Sequence, residues 1–232
     1  EFSNCTFRSN AALPKTAASE WLGGGALYLE SANAIFEDCI FEDNTVAANQ
    51  VTISNRGGAI YAQNLHHLSF SGCSFKNNSV RSNFTRVDGG ALYITNVENV
   101  TISDCSFEFN SVSSFTSQAA SGAIAVWDGV DLTIRSSQFF NNSVSSFRGA
   151  AFAGALECSN PRSVTIDNTI FLDNYIFSDW SFSQGGAIQI GHPTLNTGNI
   201  TISSSIFAKN TASSTEGYGS GGAIIILDAT AA

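Results

Sequence analysis

The chain has 232 residues and a formal net charge of -9, from 10 Lys+Arg against 19 Asp+Glu. So few cations exclude a phosphate-neutralising nucleic-acid binder and docking on an anionic membrane surface. No apolar run approaches the ~18 residues of a membrane-spanning helix. The chain carries no Met and no secretory apolar segment near its start, which predicts a processed product or a cut from something longer.

In chain order, a Cys-x-Phe-x-x-Asn motif opens at Cys5-Phe7-Asn10 and returns at Cys39-Phe41-Asn44, Cys73-Phe75-Asn78 and Cys105-Phe107-Asn110. A hydroxyl replaces the thiol at Ser137-Phe139-Asn142, Thr169-Phe171-Asn174 and Ser205-Phe207-Asn210, giving seven copies at spacings of 34, 34, 32, 32, 32 and 36. Between them stands Gly-Gly-Ala plus an aliphatic residue, beginning at Gly24, Gly57, Gly89, Gly185 and Gly221, with degenerate copies at Ser121-Gly122-Ala123-Ile124 and Ala153-Gly154-Ala155-Leu156. An aliphatic-x-Ile/Phe pair precedes the Cys position, as in Leu68-Phe70, Val100-Ile102 and Ile200-Ile202.

Each anchor alternates with period two, the mark of a short strand, and none is long enough for helical periodicity. The expectation is three short strands in each repeat of ~32 residues. Such a repeat cannot bury its apolar side alone and must stack on its neighbours. The predicted fold class is all-β, a parallel β-helix of about seven coils forming a single domain over 1–232. Stacking places the motif phenylalanines in one inward column, and Leu29, Ala62, Ile94, Val126, Cys158, Ile190 and Ile226 in another. The motif asparagines form a ladder at a corner, where Asn tolerates a left-handed backbone.

The alternation of Gly-Gly-Ala-Ile/Leu with Phe-x-x-Asn, from Cys5 to Ile226, resembles the repeat pair of the chlamydial polymorphic outer-membrane proteins. That resemblance implies a right-handed β-helix at a cell surface or in the extracellular space, with an adhesive or structural role and no catalysis.

Five cysteines cannot all pair within the chain. The interchange of Cys with Ser and Thr in one column reads as a slot for a small, buried, weakly polar side chain, so free buried thiols are favoured over disulfides. Close Cys/His pairs of the kind zinc needs are absent, and no metal, cofactor or catalytic residue is assigned. His66, His67 and His192 read as solvated turns. Glu37, Asp38, Glu42 and Asp43 cluster on one coil, a weak calcium candidate, and the sign alternation from Glu42 to Lys76 to Glu108 reads as cross-strand pairing. Candidate glycosylation sites are Asn4, Asn77, Asn83, Asn99, Asn141 and Asn199, each in an Asn-x-Ser/Thr sequon. Tyr28, Tyr61 and Tyr93 share a column expected to face outward, either a contact stripe or shielding for the sheet. The loops before Gly-Gly-Ala, such as 177–182 with Trp180, hold the least regular sequence, and in solenoids such loops mark the contact side.

The leading expectation is an extracellular structural or adhesive protein; alternatives are a carbohydrate-binding module and a polysaccharide lyase or hydrolase on the same scaffold. Self-association is expected too. Residue 1 of a second copy placed after Ala232 would sit with Cys5 at the 32-residue spacing from Ser205. That predicts head-to-tail stacking into a filament, or a segment of a longer array.

Overall fold

The computed structural model describes residues 1–14, 21–48, 54–191 and 197–227. His192 lies outside them. The described residues hold 35 strands in five parallel sheets of seven strands each, and no helix. Neighbours in every sheet are one repeat apart in sequence, so the chain climbs as a parallel β-helix of seven rungs. We number the rungs from the N-terminus and the sheets in the order each rung visits them. The fourth rung is Asn99–Ser103, Ser106–Glu108, Ser111–Ser114, Ala119–Ala120 and Ile124–Trp127.

Five strands per rung replace the three expected. The two additional strands flank the loop between Asn and Gly-Gly-Ala. They run two to four residues and are built from Ser, Val and Ala, as in Ser111–Ser114 and Ala119–Ala120. Alternation so short and so weakly apolar carries no periodic signal. These strands form because the rungs above and below supply their hydrogen-bond partners.

The register is that of the sequence columns. Phe75 pairs with Phe41 on one side and Phe107 on the other. The Phe75 and Phe107 rings lie 4.7 Å apart and are tilted by 1°. Phe36 and Phe70 form a second stack that meets the first edge-on, at 5.7 and 5.4 Å. Stacking at one strand spacing buries the rings of the inner rungs completely, and these rings anchor the main core. A second core lies between the third and fourth sheets, where Val80, Val112 and Val144 meet Val87, Ala119 and Ala151. Those two sheets fold back on each other as a flap. The outer face of the fourth sheet is thereby brought against the outer face of the fifth.

The asparagine ladder is continuous and, from Asn44 to Asn174, fully buried. Asn78 Nδ2 donates to Asn110 Oδ1 at 3.0 Å and to Phe41 O at 2.9 Å, while Asn78 Oδ1 accepts from Asn44 N and Nδ2. The left-handed residue at this corner is not the ladder Asn, as expected, but the one before it. Ser9, Asp43, Asn77, Phe109, Asn141, Asp173 and Lys209 have φ between 53° and 57°. The turn is made outside, which leaves the amide free to point inward.

In Gly-Gly-Ala the two glycines answer different demands. The first is left-handed, as at Gly89 with φ 67°; the degenerate copies put Ser121 (φ 63°) and Ala153 (φ 48°) into the same conformation. The second is sterically excluded from carrying a side chain, because a Cβ on Gly122 would lie 2.2 Å from Gly154 O of the next rung.

Candidate functional site: a groove between the fourth and fifth sheets

On the fifth sheet the column Tyr28, Tyr61, Tyr93, Ala125, Glu157, Gln189 points away from the main core. On the fourth sheet the column Arg56, Asp88, Ala120, Phe152, Gln184 faces it. The angle between the two sheets is a groove along the helix axis. The expected outward tyrosine stripe is corrected here. Tyr61 and Tyr93 are 3% and 4% exposed, and only Tyr28, at 40%, reaches solvent. The rings meet edge-to-face at 5.4 and 5.1 Å, and Arg56 lies 4.7 Å over Tyr93. The flap closes over this column, which no single rung of sequence could reveal.

Higher in the groove, the fourth rung carries only Ala120 and Ala125 in these columns. The space so left is crossed by Arg86 of the third rung. Its Nε donates to Asp88 Oδ1 at 2.7 Å and its Nη1 to Gln118 Oε1 at 3.0 Å. Its Nη2 lies 3.6 Å from Glu157 Oε1, two rungs up. The guanidinium lies 4.7 Å over the Trp127 ring, a cation–π contact of a half-buried arginine. Ser121 Oγ reaches Glu157 Oε2 at 3.4 Å.

Burial pushes the Glu157 carboxyl up to about 7, against the opposing pull of Arg86. Burial works against the Arg86 charge as well, but Asp88 and Glu157 outweigh it and its pKa rises. Burial also raises the Tyr93 phenol.

Above Arg86 the groove encloses a cavity of about 360 Å³, which Trp127, Phe152, Phe182, Glu157 and Gln189 help to line. Trp127 Nε1 and Gln189 Oε1 are buried there without hydrogen-bond partners, while Arg86 Nη2 has only its 3.6 Å contact with Glu157. A larger depression of about 550 Å³ follows the corner between the first and second sheets; its lining is mainly serine and backbone, with Asp104 its sole charged side chain. The chemistry is in the smaller, deeper cavity.

This cluster is absent from the expectations. Asp88 and Glu157 stand on different strands two rungs apart, and only the crossing of Arg86 joins them. One sign was present in the sequence: Glu157 is the sole acid in a column of tyrosine, alanine, glutamine and isoleucine.

The other candidates fall elsewhere. The sequon residues Asn4, Asn77, Asn83, Asn99, Asn141 and Asn199 are all exposed and none lines the cavity. All five cysteines are free. The column of Cys5, Cys39, Cys73 and Cys105 does more than fill space, because side chains at Cys39, Cys105, Ser137 and Ser205 accept the backbone N–H of the rung below. Cys73 N donates to Cys105 Sγ, and Cys105 N donates to Ser137 Oγ at 3.1 Å. Cys105 Sγ in turn reaches Ser103 O, which explains why Cys, Ser and Thr interchange. His66 is solvent-exposed, and Glu98 of the next rung meets its Nδ1 at 3.0 Å on the open surface. Arg8 and Glu42 pair at 2.6 Å, at the foot of the column of alternating sign. Among the described residues no group of three or more His, Cys, Asp or Glu is placed to hold a metal ion. The irregular loops share a serine-capped turn: Ser114, Ser146 and Ser178 each accept a backbone N–H three residues on. They hold Trp180, 64% exposed, at their tips.

The model of the right-handed β-helix region family matches residues 44–231. This chain belongs to the right-handed β-helix family. No curated protein and no solved structure matches it.

Proposed function

We propose that this β-helix is an extracellular, non-enzymatic scaffold with an adhesive role, and that the groove between its fourth and fifth sheets is the recognition surface. The observation that carries this reading is the half-open cavity, where two unpartnered polar atoms, Trp127 Nε1 and Gln189 Oε1, sit among three aromatic rings. Unsatisfied buried groups are costly, and a convergent set of them in an apolar pocket is what a binding site retains. Binding is favoured over hydrolysis because Glu157 lines the cavity while Asp88 does not. Asp88 is 1% exposed and held by Arg86, whereas two-carboxylate glycoside hydrolysis needs both groups at the substrate. The resemblance to chlamydial surface repeats supports the adhesive role. The exposed sequons support surface glycans on Asn4, Asn77, Asn83, Asn99, Asn141 and Asn199. Columns that repeat rung after rung are self-complementary, which supports in-register association of copies into filaments.

Beads coated with the protein and passed over cell or glycan-coated surfaces test this. Retention above an albumin control, reduced by Arg86→Ala in a variant with unchanged circular dichroism, is the expected result. Release of reducing ends from a polysaccharide panel, or retention equal to albumin, would sink the reading.

A further inference from the structure

Building on the groove as the recognition surface, we infer that the cavity above Arg86 is a subsite for one uncharged, polyhydroxylated ring, a neutral pyranose. The hydrogen-bond inventory of the wall selects this class. Trp127 Nε1 is a donor lacking an acceptor, and Gln189 Oε1 is an acceptor lacking a donor. Gln189 is 4% exposed and Glu157 3% exposed, so neither is free to turn to bulk water. A hydroxyl both donates and accepts, so a ring bearing several hydroxyls satisfies both kinds of orphan at once. Trp127, Phe152 and Phe182 supply apolar faces for the C–H surface of such a ring. The volume, about 360 Å³, falls at the small end of the ~300–1,000 Å³ of ligand pockets, so it admits one ring or two and no more.

Charge excludes the neighbouring classes. A ligand carboxylate entering the cavity would face Glu157, with Asp88 just behind, and Arg86 is already committed to both. A ligand ammonium would face the Arg86 guanidinium. Neither can be accommodated without leaving a like-charge contact in a desolvated site. The columns also explain why the subsite sits where it does. Ala120 and Ala125 on one rung make room for Arg86, and Arg86 forms the floor on which the cavity opens.

Saturation-transfer NMR and calorimetry with the methyl glycosides of glucose, galactose, mannose and N-acetylglucosamine test the inference, with glucuronic acid and glucosamine as charged counterparts. The variants are Gln189→Leu, which removes the acceptor, and Trp127→Phe, which keeps a ring and removes the donor; Gln138→Ala on the second sheet is the control. At least one neutral glycoside should bind, about tenfold or more tighter than either charged sugar. Each cavity variant should weaken it about tenfold, and the control should not change it. If glucuronic acid or glucosamine binds as tightly, or if Gln189→Leu and Trp127→Phe both bind unchanged while folded, the inference fails. It also fails if no neutral glycoside binds and the cavity is simply hydrated. In any of these cases bead retention sensitive to Arg86→Ala would leave the adhesive reading standing; loss of both signals would remove both.

Discussion

The Arg86 guanidinium passes over an entire rung to lie 3.6 Å from the Glu157 carboxylate. It can do so because the rung between carries Ala120 and Ala125, both fully buried and too small to obstruct it. Asp88 and Glu157 are buried but Arg86 is 27% exposed, so removing the cation should cost less than the ~3–5 kcal/mol of breaking a fully buried pair. Arg86→Ala should still lower the urea midpoint, and the additional substitution of Glu157→Gln should restore part of the loss.

Glu157 also gives the fold an unusual pH dependence. Its carboxyl is raised from 4.5 to about 7 by burial, partly offset by Arg86. The native state therefore holds a proton that the unfolded chain releases. The stabilisation this represents is complete below pH 4.5 and declines as pH rises toward 7, by about 3 kcal/mol in all. Denaturant midpoints of the wild type should fall between pH 5 and pH 8 more steeply than those of Glu157→Gln. Parallel curves for the two proteins would refute the assignment.

The two glycine positions of Gly-Gly-Ala predict substitutions of opposite sign. Gly122→Ala drives a Cβ against the carbonyl of Gly154 and the N–H of Ser143, both backbone. The stack cannot yield there without losing ladder bonds, so we expect loss of cooperative folding. Ala153→Gly relieves a left-handed alanine at φ 48° and should raise stability by about 1 kcal/mol. Thermal unfolding of the two variants checks both signs.

Removing one ladder asparagine should cost far more than removing an exposed one. Asn110→Ala deprives Phe75 O of a donor, and Asn78 N and Nδ2 of their acceptor. At about 1–3 kcal/mol for each buried group left unpaired, the total should exceed about 3 kcal/mol. Asn99→Ala, at an exposed strand start, should change stability by less than about 0.5 kcal/mol. Equal midpoint shifts for the two would show that the ladder is dispensable.

The thiol column predicts a chemical equivalence. Cys105→Ser keeps both the acceptor for Cys73 N and the donor to Ser103 O, as Ser137 does one rung above. It should fold with a nearly unchanged midpoint. Cys105→Val fills the volume but leaves the Cys73 N–H without a partner, and should cost about 1–3 kcal/mol. A serine variant less stable than the valine variant would overturn the capping role.

Much of this molecule is determined by its sequence alone. A stacked solenoid makes each residue's neighbour the residue one repeat away, so columns read from spacing become contacts directly. The Phe stack from Phe7 to Phe207, the aliphatic wall from Leu29 to Ile226 and the Cys/Ser/Thr slot all follow from counting. The third and fourth sheets were not legible, because their strands are too short and too polar to show alternation and exist only through their neighbours. The groove was not legible for a related reason. Spacing relates a residue to its own column and says nothing about which two columns the flap brings face to face. Tyr61 therefore read as outward and is buried, and nothing in the spacing joined Asp88 and Glu157, which share one arginine. Repetition along the axis determined the fold; the folding-back of the third and fourth sheets across the axis decided the site.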